Sequence, residues 1–357
     1  MTISFEAKNK QEIEKQLKST SIDWDAVVKV STAHYVFPAL YCNLKRADFL
    51  QYLPHELVSF MEHITDINRE RNKKIISQAK ELNTLLLVNN ITPIFLKGTG
   101  NLLSGIYEDI AERMVGDIDF IFSKKDYSRA IAVLREFGYY EVKKRKYHYP
   151  DIDKHYRRLQ KDKSIAAIEI HSELLGIKKY SSEFNYSFVE KDCQALNGVN
   201  VLSYANKLNL SIIANQINDH GFYYKTMALR NAYDVFLLSK KTSAKNAVHT
   251  LDKLTNPLNC FLAACFKVFN TVDSLVYDKN SKTASYLSDF NSQFTNTVKT
   301  KRRHKRIKAY LLLKDRLNLI YKCFIYKECR LWLLNLLTEK EFYKRRLVEL
   351  KKSITTK

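Results

Sequence analysis

The sequence has no long uninterrupted hydrophobic run. Its most apolar windows, Asn83–Val88 and Leu331–Leu337, are far shorter than the roughly 18 or more uncharged residues that a membrane-spanning helix requires. Met1–Asn9 mixes acidic and basic residues and lacks the apolar stretch of a secretory signal. These absences predict a chain with neither a transmembrane helix nor a secretory signal.

Cysteine is sparse and never arranged in CxxC pairs. The six cysteines lie in apolar, helical-looking surroundings at positions Cys42, Cys193, Cys260, Cys265, Cys323 and Cys329. This spacing argues against both a disulfide framework and a zinc knuckle. Together with the missing signal, it predicts a cytoplasmic protein with reduced thiols.

Glycine and proline are scarce, with 8 and 5 residues among 357, whereas Lys, Asn, Ile and Tyr are abundant. An AT-rich genome produces such a bias without any functional demand. The hydrophobic content of 45% is enough to fill real cores, and the length suits two or three domains. We find no internal repeat and no low-complexity segment.

Positive charge is unevenly distributed. The formal net charge is +21, and residues 301–357 contribute 18 Lys/Arg against 5 Asp/Glu, which is more than half of the excess. This basic tail could bind nucleic acid or an anionic membrane surface. It also carries apolar clusters at Leu311–Leu313 and Leu331–Leu334, and we expect these to pack on the tail's own domain.

The periodicity of apolar residues divides the chain into three parts. Residues 1–90 show helical spacing, residues 91–200 alternate strand-like and helix-like runs, and helical patterns dominate residues 201–357. We therefore predict an α+β protein with a small mixed β-sheet. A helical N-terminal segment would precede this core, and a helical C-terminal domain with a basic tail would follow it.

The core begins with a short β-like run, Ile91–Leu96, followed by the turn Lys97-Gly-Thr-Gly100 and an amphipathic pattern over Leu102–Ile110. A second strand is predicted at Val115–Phe122, and a helix over Lys125–Phe137 that ends at Gly138. The segments His155–Gln160 and Ile165–His171, joined by a turn at residues 161–164, have the pattern of a β-hairpin.

The second strand carries the most distinctive motif, Gly116-Asp-Ile-Asp-Phe120. Side chains alternate along a strand, so Asp117 and Asp119 project from one face, about 7 Å apart. Two like charges on an otherwise apolar strand are unfavourable unless a cation lies between them. Mg²⁺ prefers carboxylate and phosphate oxygens, so the motif predicts a Mg²⁺ or Mn²⁺ site for phosphoryl chemistry. The alternative is a strand end with two solvated acids.

A third acidic residue, Glu169, lies on the strand of the predicted hairpin and shares a face with His171. An isolated Glu on an edge strand is usually ordinary surface. If this strand lies beside the Asp117–Asp119 strand, however, Glu169 can share a metal with the two aspartates. It can then also accept a proton from an acceptor hydroxyl.

The glycine turn supplies features suited to phosphate. Gly98 lets backbone approach an anion closely, Thr99 offers a hydroxyl donor, and Lys97 and Arg113 could neutralise a triphosphate. A GxG pair alone is more often a tight turn. The order of strand, glycine turn, helix and acidic strand is more specific than the turn alone.

These motifs resemble the DNA polymerase beta-type nucleotidyltransferase superfamily. More narrowly, Leu96-Lys-Gly98, Arg113-Met-Val-Gly-Asp-Ile-Asp119 and Glu169-Ile-His171 are similar to motifs of a bacterial nucleotidyltransferase family, over about residues 20–240. The resemblance implies that Asp117, Asp119 and Glu169 are catalytic and bind metal. It also implies further candidates for substrate binding: His171, His220, Arg230 and Asp234. Thr99 and Glu169 depart mildly from the family, which commonly has Gly or Ser and Asp there.

Three other charged features are weaker evidence for function. Asp151-Ile-Asp153 repeats the acidic letters, but it follows Pro150 in a polar stretch, so we interpret it as a loop. The basic cluster Lys143–Lys146 with Arg157 and Arg158 could approach phosphates or could be solvated loop charge. Arg230 and Asp234 stand four residues apart and could form a salt bridge within a helix.

The sequence thus leads to a hypothesis of nucleotidyl transfer. A nucleoside monophosphate would pass from an NTP to a hydroxyl-bearing acceptor, with release of pyrophosphate. A sugar or antibiotic, an RNA end and a protein side chain are all compatible acceptors. The rival hypothesis is a catalytically idle protein that keeps the fold to hold a nucleotide or RNA.

Overall fold

The computed structural model describes residues 1–19, 21–142, 155–338 and 343–344. Within these ranges, residues up to 142 together with residues 155–296 form one compact unit, and residues 297–338 belong to another. The segments Lys143–Lys146 and Asp151–Asp153 of the sequence analysis lie outside the described residues. The predicted boundaries after residues 90 and 200 stay predictions.

The N-terminal segment is helical, as predicted. It contains four helices, α1 (Ala7–Ser19), α2 (Trp24–Ala33), α3 (Phe37–Arg46) and α4 (His55–Val88). The 34-residue helix α4 fixes the position of the segment that leads to the acidic strand. From its buried face, the amide of Asn68 donates to the carbonyl of Ala111 at 2.7 Å, and that of Asn72 donates to the carbonyl of Arg113 at 2.7 Å. These bonds satisfy backbone acceptors of a non-repetitive segment and fix its position.

A seven-stranded mixed sheet forms the centre of the larger unit, with spatial order β3-β4-β5-β2-β1-β7-β6. The strands are β1 (Ile94–Phe95), β2 (Asp117–Ile121), β3 (Tyr140–Glu141), β4 (Leu159–Gln160), β5 (Ala167–His171), β6 (Gln194–Leu196) and β7 (Val199–Val201). The pairs β2–β5 and β1–β7 are parallel, and the other pairs are antiparallel. The predicted hairpin is confirmed as β4–β5, and the predicted α+β class with a small mixed sheet is confirmed.

Three helices accompany the sheet: α5 (Lys97–Leu103), α6 (Lys124–Glu136) and α7 (Tyr186–Val189). Helix α6 follows the prediction and precedes Gly138, whose φ of +92° suits glycine. The helix predicted over Leu102–Ile110 is wrong, because α5 ends at Leu103 and Gly105 has a φ of +63°. Ile106 and Tyr107 are buried in non-helical chain, so their helix-like spacing reflects packing alone.

Helices also form the rest of the larger unit. They are α8 (Tyr204–Ile213), α9 (Gly221–Tyr224), α10 (Leu229–Ser239), α11 (Ala244–His249), α12 (Thr255–Val268) and α13 (Ser281–Thr295). A π-helical turn, Ala214–Asn218, continues α8. The side chain of Asn218 accepts from the backbone N–H of Gly176 at 2.8 Å and donates to the carbonyl of Leu174 at 3.1 Å. This turn therefore fastens α8 to the chain that follows β5.

One buried carboxylate joins the N-terminal helices to α10. Glu112 accepts hydrogen bonds from the guanidinium of Arg46 at 2.5 Å, from the hydroxyl of Tyr233 at 2.5 Å and from the backbone N–H of Asp109 at 3.1 Å. Asn43 donates in turn to the Tyr233 hydroxyl at 3.1 Å. We call Asn43, Arg46, Glu112 and Tyr233 the Glu112 network.

The described part of the second unit contains the helices α14 (Thr297–Ile325) and α15 (Lys327–Thr338). Leu319, Cys323 and Cys329 form a small buried cluster there, with Trp332 and Leu333 packed against it. Other apolar side chains of the unit are about half exposed or more, among them Leu312, Leu313, Leu317, Leu331 and Leu334. The packing of the apolar clusters on the tail's own domain, and binding of a polyanion or membrane by the tail, stay predictions.

Two expectations about membrane and redox state can be compared with the structure. In the described ranges, none of the helices has both the length and the apolar character to cross a bilayer. All six cysteines lie in the described ranges, and none of them forms a disulfide.

Candidate functional site

Parallel pairing of β2 with β5 brings the predicted acidic residues together. The register sets Asp119 opposite Glu169, and Asp117 opposite Ala167. Ile118 and Ile168 occupy the other face, both completely buried in the core. Asp117, Asp119, Glu169 and His171 therefore project from one face of two adjacent strands, and we call these four side chains the acidic face.

Asp119 is the most enclosed carboxylate of the acidic face, only 6% exposed. The ammonium of Lys97 lies 2.5 Å from its Oδ1, and Nε2 of His171 lies 2.8 Å from the same oxygen. Burial alone would raise the pKa of Asp119, but the Lys97 charge and the His171 contact bring it well below its ordinary value. Asp119 is therefore ionised at neutral pH.

Glu169 has a different electrostatic environment from its neighbour. Its Oε2 lies 3.8 Å from Lys97 Nζ and 4.0 Å from His171 Nε2, and within the described chain no hydrogen bond reaches its carboxylate. Burial and the adjacent Asp119 charge raise the pKa of Glu169, and Lys97 opposes that rise only in part. A carboxylate with a raised pKa is suited to take up a proton.

His171 is almost completely buried, and burial lowers its pKa despite the contact with Asp119. A neutral ring that donates from Nε2 to Asp119 leaves Nδ1 as an acceptor, a tautomer inferred from the contact. Nδ1 is buried and has no hydrogen-bond partner. The ring of His155 lies nearby, with 5.5 Å between the two ring centroids.

Asp117 lies at the more open end of the acidic face. Its carboxylate forms an ion pair with Arg158, which precedes β4, while burial and the Asp119 charge raise its pKa. From the sequence, Arg158 could contact phosphate or lie in a solvated loop. The structure places its guanidinium against Asp117 of β2, because the β4–β5 hairpin sets Leu159 opposite Ile168.

The acidic face has the donor set of a divalent cation site. Ligand atoms of Asp119, Glu169 and His171 lie within 4.8 Å of one another, the one such group among the described residues. Carboxylate oxygens suit Mg²⁺ and Mn²⁺, and imidazole suits several transition ions. Cationic side chains, Lys97 and Arg158, already lie against the carboxylates, which shows that this face attracts positive charge. The residues therefore fit a metal.

The predicted glycine turn is instead the first turn of helix α5, and it lies directly beside this face. Lys97, the first residue of α5, has a φ of +49° and directs its ammonium to Asp119. A Cβ on Gly98 would lie 2.9 Å from Val115 Cγ2, and one on Gly100 would lie 2.6 Å from the carbonyl oxygen of Phe95. A side chain at Gly100 would collide with backbone, and one at Gly98 would force Val115 to shift, whatever ligand the turn holds. Packing is therefore a reason for these glycines beside phosphate approach and a tight turn.

Two of the residues predicted to bind nucleotide already have protein partners. The buried hydroxyl of Thr99 donates to the carbonyl of Asp117 at 3.0 Å. The guanidinium of Arg113 donates through Nε to Asp234 at 3.1 Å and through Nη1 to the carbonyl of Met114 at 2.8 Å. Their roles in nucleotide binding stay predictions, as do those of Lys97 and Gly98.

The candidates on the helical side are distributed around α10. Asp234 is buried and accepts from Arg113 and, at 2.7 Å, from the hydroxyl of Tyr107. It pairs with Arg113 rather than forming the helical salt bridge with Arg230 that the sequence allowed. His220 precedes α9 with a φ of +58°, and its Nδ1 is buried without a hydrogen-bond partner.

Solved structures give only a distant likeness. JHP933 from Helicobacter pylori has 14% identity, covers 71% of this chain and 97% of its own, and has a TM-score of 0.31. A second H. pylori protein, with a provisional description as a nucleotidyltransferase, has 13% identity, covers 68% and 96%, and has a TM-score of 0.30. Scores this low support no statement about the site.

Comparison with protein families is more informative. No curated protein matches the sequence. A family model described as Uncharacterised nucleotidyltransferase matches residues 20–271, well over half of the chain. That range contains β2, β5, the glycine turn and α10. The chain therefore belongs to this family of uncharacterised nucleotidyltransferases.

Proposed function

We propose that this protein transfers a nucleoside monophosphate from an NTP to a hydroxyl-bearing acceptor and releases pyrophosphate. The observation that carries the proposal is the parallel register of β2 and β5, which sets Asp119 beside Glu169 on one face. Family membership supports the same reaction class. The acceptor stays open among a sugar or antibiotic, an RNA end and a protein side chain.

Asp117, Asp119 and Glu169 would hold Mg²⁺ or Mn²⁺, with His171 beside them. When bound, the ion would offset the negative charge of the triphosphate and of the developing transition state. The contact of His171 with Asp119, at 2.8 Å, would keep that carboxylate ionised and oriented. The position of Lys97, against Asp119 and near Glu169, would keep positive charge close to the reacting phosphate.

Glu169 is the proposed general base. The acceptor oxygen would attack the α-phosphorus as its proton moves to Glu169, and the bond from that phosphorus to the pyrophosphate oxygen would break. Asp119 already lies in contact with Lys97 and His171, whereas the carboxylate of Glu169 accepts no hydrogen bond from the described residues and so has lone pairs free for a proton. The two carboxylates therefore have distinct roles.

Incubation of the full chain with an NTP labelled at the α-phosphate tests the proposal. Separate reactions with Mg²⁺ or Mn²⁺ would contain total RNA, a protein mixture or a panel of amino sugars. We expect pyrophosphate release and a nucleoside monophosphate adduct by mass spectrometry in one acceptor class. Asp119→Asn should abolish both signals. Asp162→Asn, an equivalent change on an exposed turn, should retain them.

The idle binding protein is the alternative that this experiment separates. For an idle binding protein, Mg²⁺ with NTP would raise the melting temperature, and the double variant Asp117→Asn with Asp119→Asn would lose that rise. No adduct would form with any acceptor. That combination would overturn the transfer reaction while leaving the nucleotide site in place.

A further inference from the structure

Arg230, the second residue of α10, has a guanidinium without a polar partner. Among the described residues it forms no hydrogen bond or ion pair, and its Nε is buried. Its contact is with an aromatic ring: the guanidinium carbon lies 5.1 Å from the ring centroid of Tyr35. A buried donor that lacks an acceptor is unfavourable, so the fold alone does not explain this placement.

The surroundings of Arg230 make its charge still less favourable. Asp234, one helical turn later, is already bonded to Arg113 and Tyr107. Burial and repulsion from Arg113 lower the pKa of Arg230, and attraction to Asp234 opposes them only in part. A cation in the first turn of a helix also meets the positive end of the helix dipole. Arg230 is attracted by Asp234 and, more weakly, by Asp219, but among the described residues it forms an ion pair with neither.

This excess of positive charge lies next to the glycine turn. Cζ and Nη2 of Arg113 are 3.6 Å from the position that a Cβ on Gly98 would occupy. The preceding residue, Lys97, contacts Asp119 of the acidic face. Lys97 thus joins the turn to Asp119, Arg113 lies beside Gly98 of the same turn, and Arg230 is close enough to Arg113 for the two charges to repel.

We propose that Arg230 binds a phosphate group of the substrate. The planar guanidinium is held against the Tyr35 ring, and its N–H groups suit bidentate contact with phosphate oxygens. A bound phosphate would supply the anion that Arg230 lacks, and the nearby Arg113 would attract it as well. The inference rests on the proposed function, in which the NTP brings a triphosphate and an acceptor such as RNA brings phosphates of its own.

Calorimetric titration of the full chain in EDTA tests this site without any metal contribution. The probes are tripolyphosphate, ATP, adenosine, and inorganic phosphate added to ATP-saturated protein. The proteins are wild type, Arg230→Gln, Arg230→Lys and the control Arg129→Gln. Arg129 is a cation of α6 that pairs with Asp126 and lies outside the proposed machinery. Melting temperatures would verify that each variant folds, and Arg230→Lys serves if Arg230→Gln does not.

We expect Arg230→Gln to weaken phosphate binding about 10-fold to 100-fold, the contribution of charge-assisted hydrogen bonds, without changing adenosine binding. Arg230→Lys should fall between, and Arg129→Gln should match wild type. Loss of tripolyphosphate and ATP affinity would assign Arg230 to the NTP. Loss confined to inorganic phosphate would assign it to a phosphate of the acceptor.

Equal affinities of wild type and Arg230→Gln for every probe would overturn the proposal. Its failure is separable from failure of the transfer reaction, because binding in EDTA needs no metal and no turnover. Asp119→Asn should retain the Arg230-dependent affinity even though it forms no product. A chain without transferase activity could therefore still confirm the phosphate site.

Discussion

The Glu112 network and the acidic face, two regions of the larger unit, place their carboxylates in opposite environments. Glu112 has a completely buried side chain, and its two oxygens accept from Arg46, Tyr233 and the backbone of Asp109. On the acidic face, Glu169 lies beside another carboxylate and receives no hydrogen bond from the described residues. His171 Nδ1 is buried there without a partner.

We interpret Glu112 as a carboxylate that stabilises the fold and Glu169 as one that is available for chemistry. Burial raises the pKa of both Glu112 and Glu169, but the partners of Glu112 oppose that rise, whereas Asp119 adds to it at Glu169. A fully partnered carboxylate fixes helices in place. A crowded one retains free coordination capacity, which an ion or a proton can use.

The same substitution in the two regions should have opposite effects. Glu169→Gln should lower the rate of transfer about 1000-fold, within the range for loss of a general base. Its free energy of unfolding should hold or rise at neutral pH, because the change removes repulsion from Asp119. Kinetics of pyrophosphate release and urea unfolding measure the two quantities. A rate within tenfold of wild type would rule out Glu169 as the base.

Glu112→Gln should instead lower the free energy of unfolding, by about 3 kcal/mol, because the half-buried Arg46 loses its enclosed charge partner and an amide can accept hydrogen bonds at only one of its two heavy atoms. Urea denaturation measures this loss. Glu108→Gln is the matched control, since Glu108 contacts the same arginine at 3.0 Å but is 54% exposed. That change should cost less than about 1 kcal/mol. Equal losses in the two variants would contradict a structural role for buried Glu112.

Lys207 on α8 tests this contrast from outside the acidic face, because it is a buried charge without a hydrogen-bond partner among the described residues. Its ammonium has no hydrogen bond, lies 5.0 Å from the Tyr204 ring centroid, and burial lowers its pKa to about 8. Between this value and the ordinary 10.5 the unfolded chain binds more protons, so stability rises with pH across that window. Below about pH 8, the folded protein bears the full cost of burying the charged ammonium.

Lys207→Met should therefore stabilise the protein at neutral pH, on the order of 2 kcal/mol. The advantage over wild type should shrink as pH rises from about 8 and vanish above the ordinary lysine pKa. Urea titrations at several pH values measure it. A destabilised variant would show that the amine has a favourable role, and Lys207 would then join the candidates for ligand contact.

The smallest effect concerns the glycine turn. Gly98→Ala should lower the free energy of unfolding by about 1 kcal/mol, because the new Cβ would lie 2.9 Å from Val115 Cγ2. Adding Val115→Ala should relieve that contact, with Val115→Ala alone as the control. If a phosphate approaches the turn, ATP affinity should stay weakened in the double variant. Recovery of full affinity would show that Gly98 serves packing only.

Local patterns predicted the elements of the site better than their assembly. The alternation in Asp117-Ile-Asp119 and in Glu169-Ile-His171 placed the acids on one face of each strand, and the structure agrees. The parallel neighbourhood of the two strands could only be supposed, since pairing is a property of the whole sheet. The contact between Tyr107 and Asp234 spans 127 positions and leaves no local signal.

The helix predicted over Leu102–Ile110 was wrong because buried residues of an irregular segment can have the same spacing as one face of a helix. Ile106 and Tyr107 follow Leu102 and Leu103 at helical intervals, yet the chain turns at Gly105 and these side chains enter the core from irregular backbone. Arg158 was ambiguous because its partner, Asp117, lies on a strand 41 positions earlier. The partner of a charged residue beside a hairpin can be assigned only once the register of that hairpin is known.

The parallel pairing of β2 with β5 also determines when the site can form during folding. His171 and Asp119 are 52 positions apart, and α6 and the β3–β4 strands lie between them. Pairs of such separation form slowly, because closing the long loop costs entropy before any contact is made. In a partly folded chain the two acidic strands would still be apart. Nucleotide binding would then appear only with the completed sheet, which makes it a late reporter of refolding.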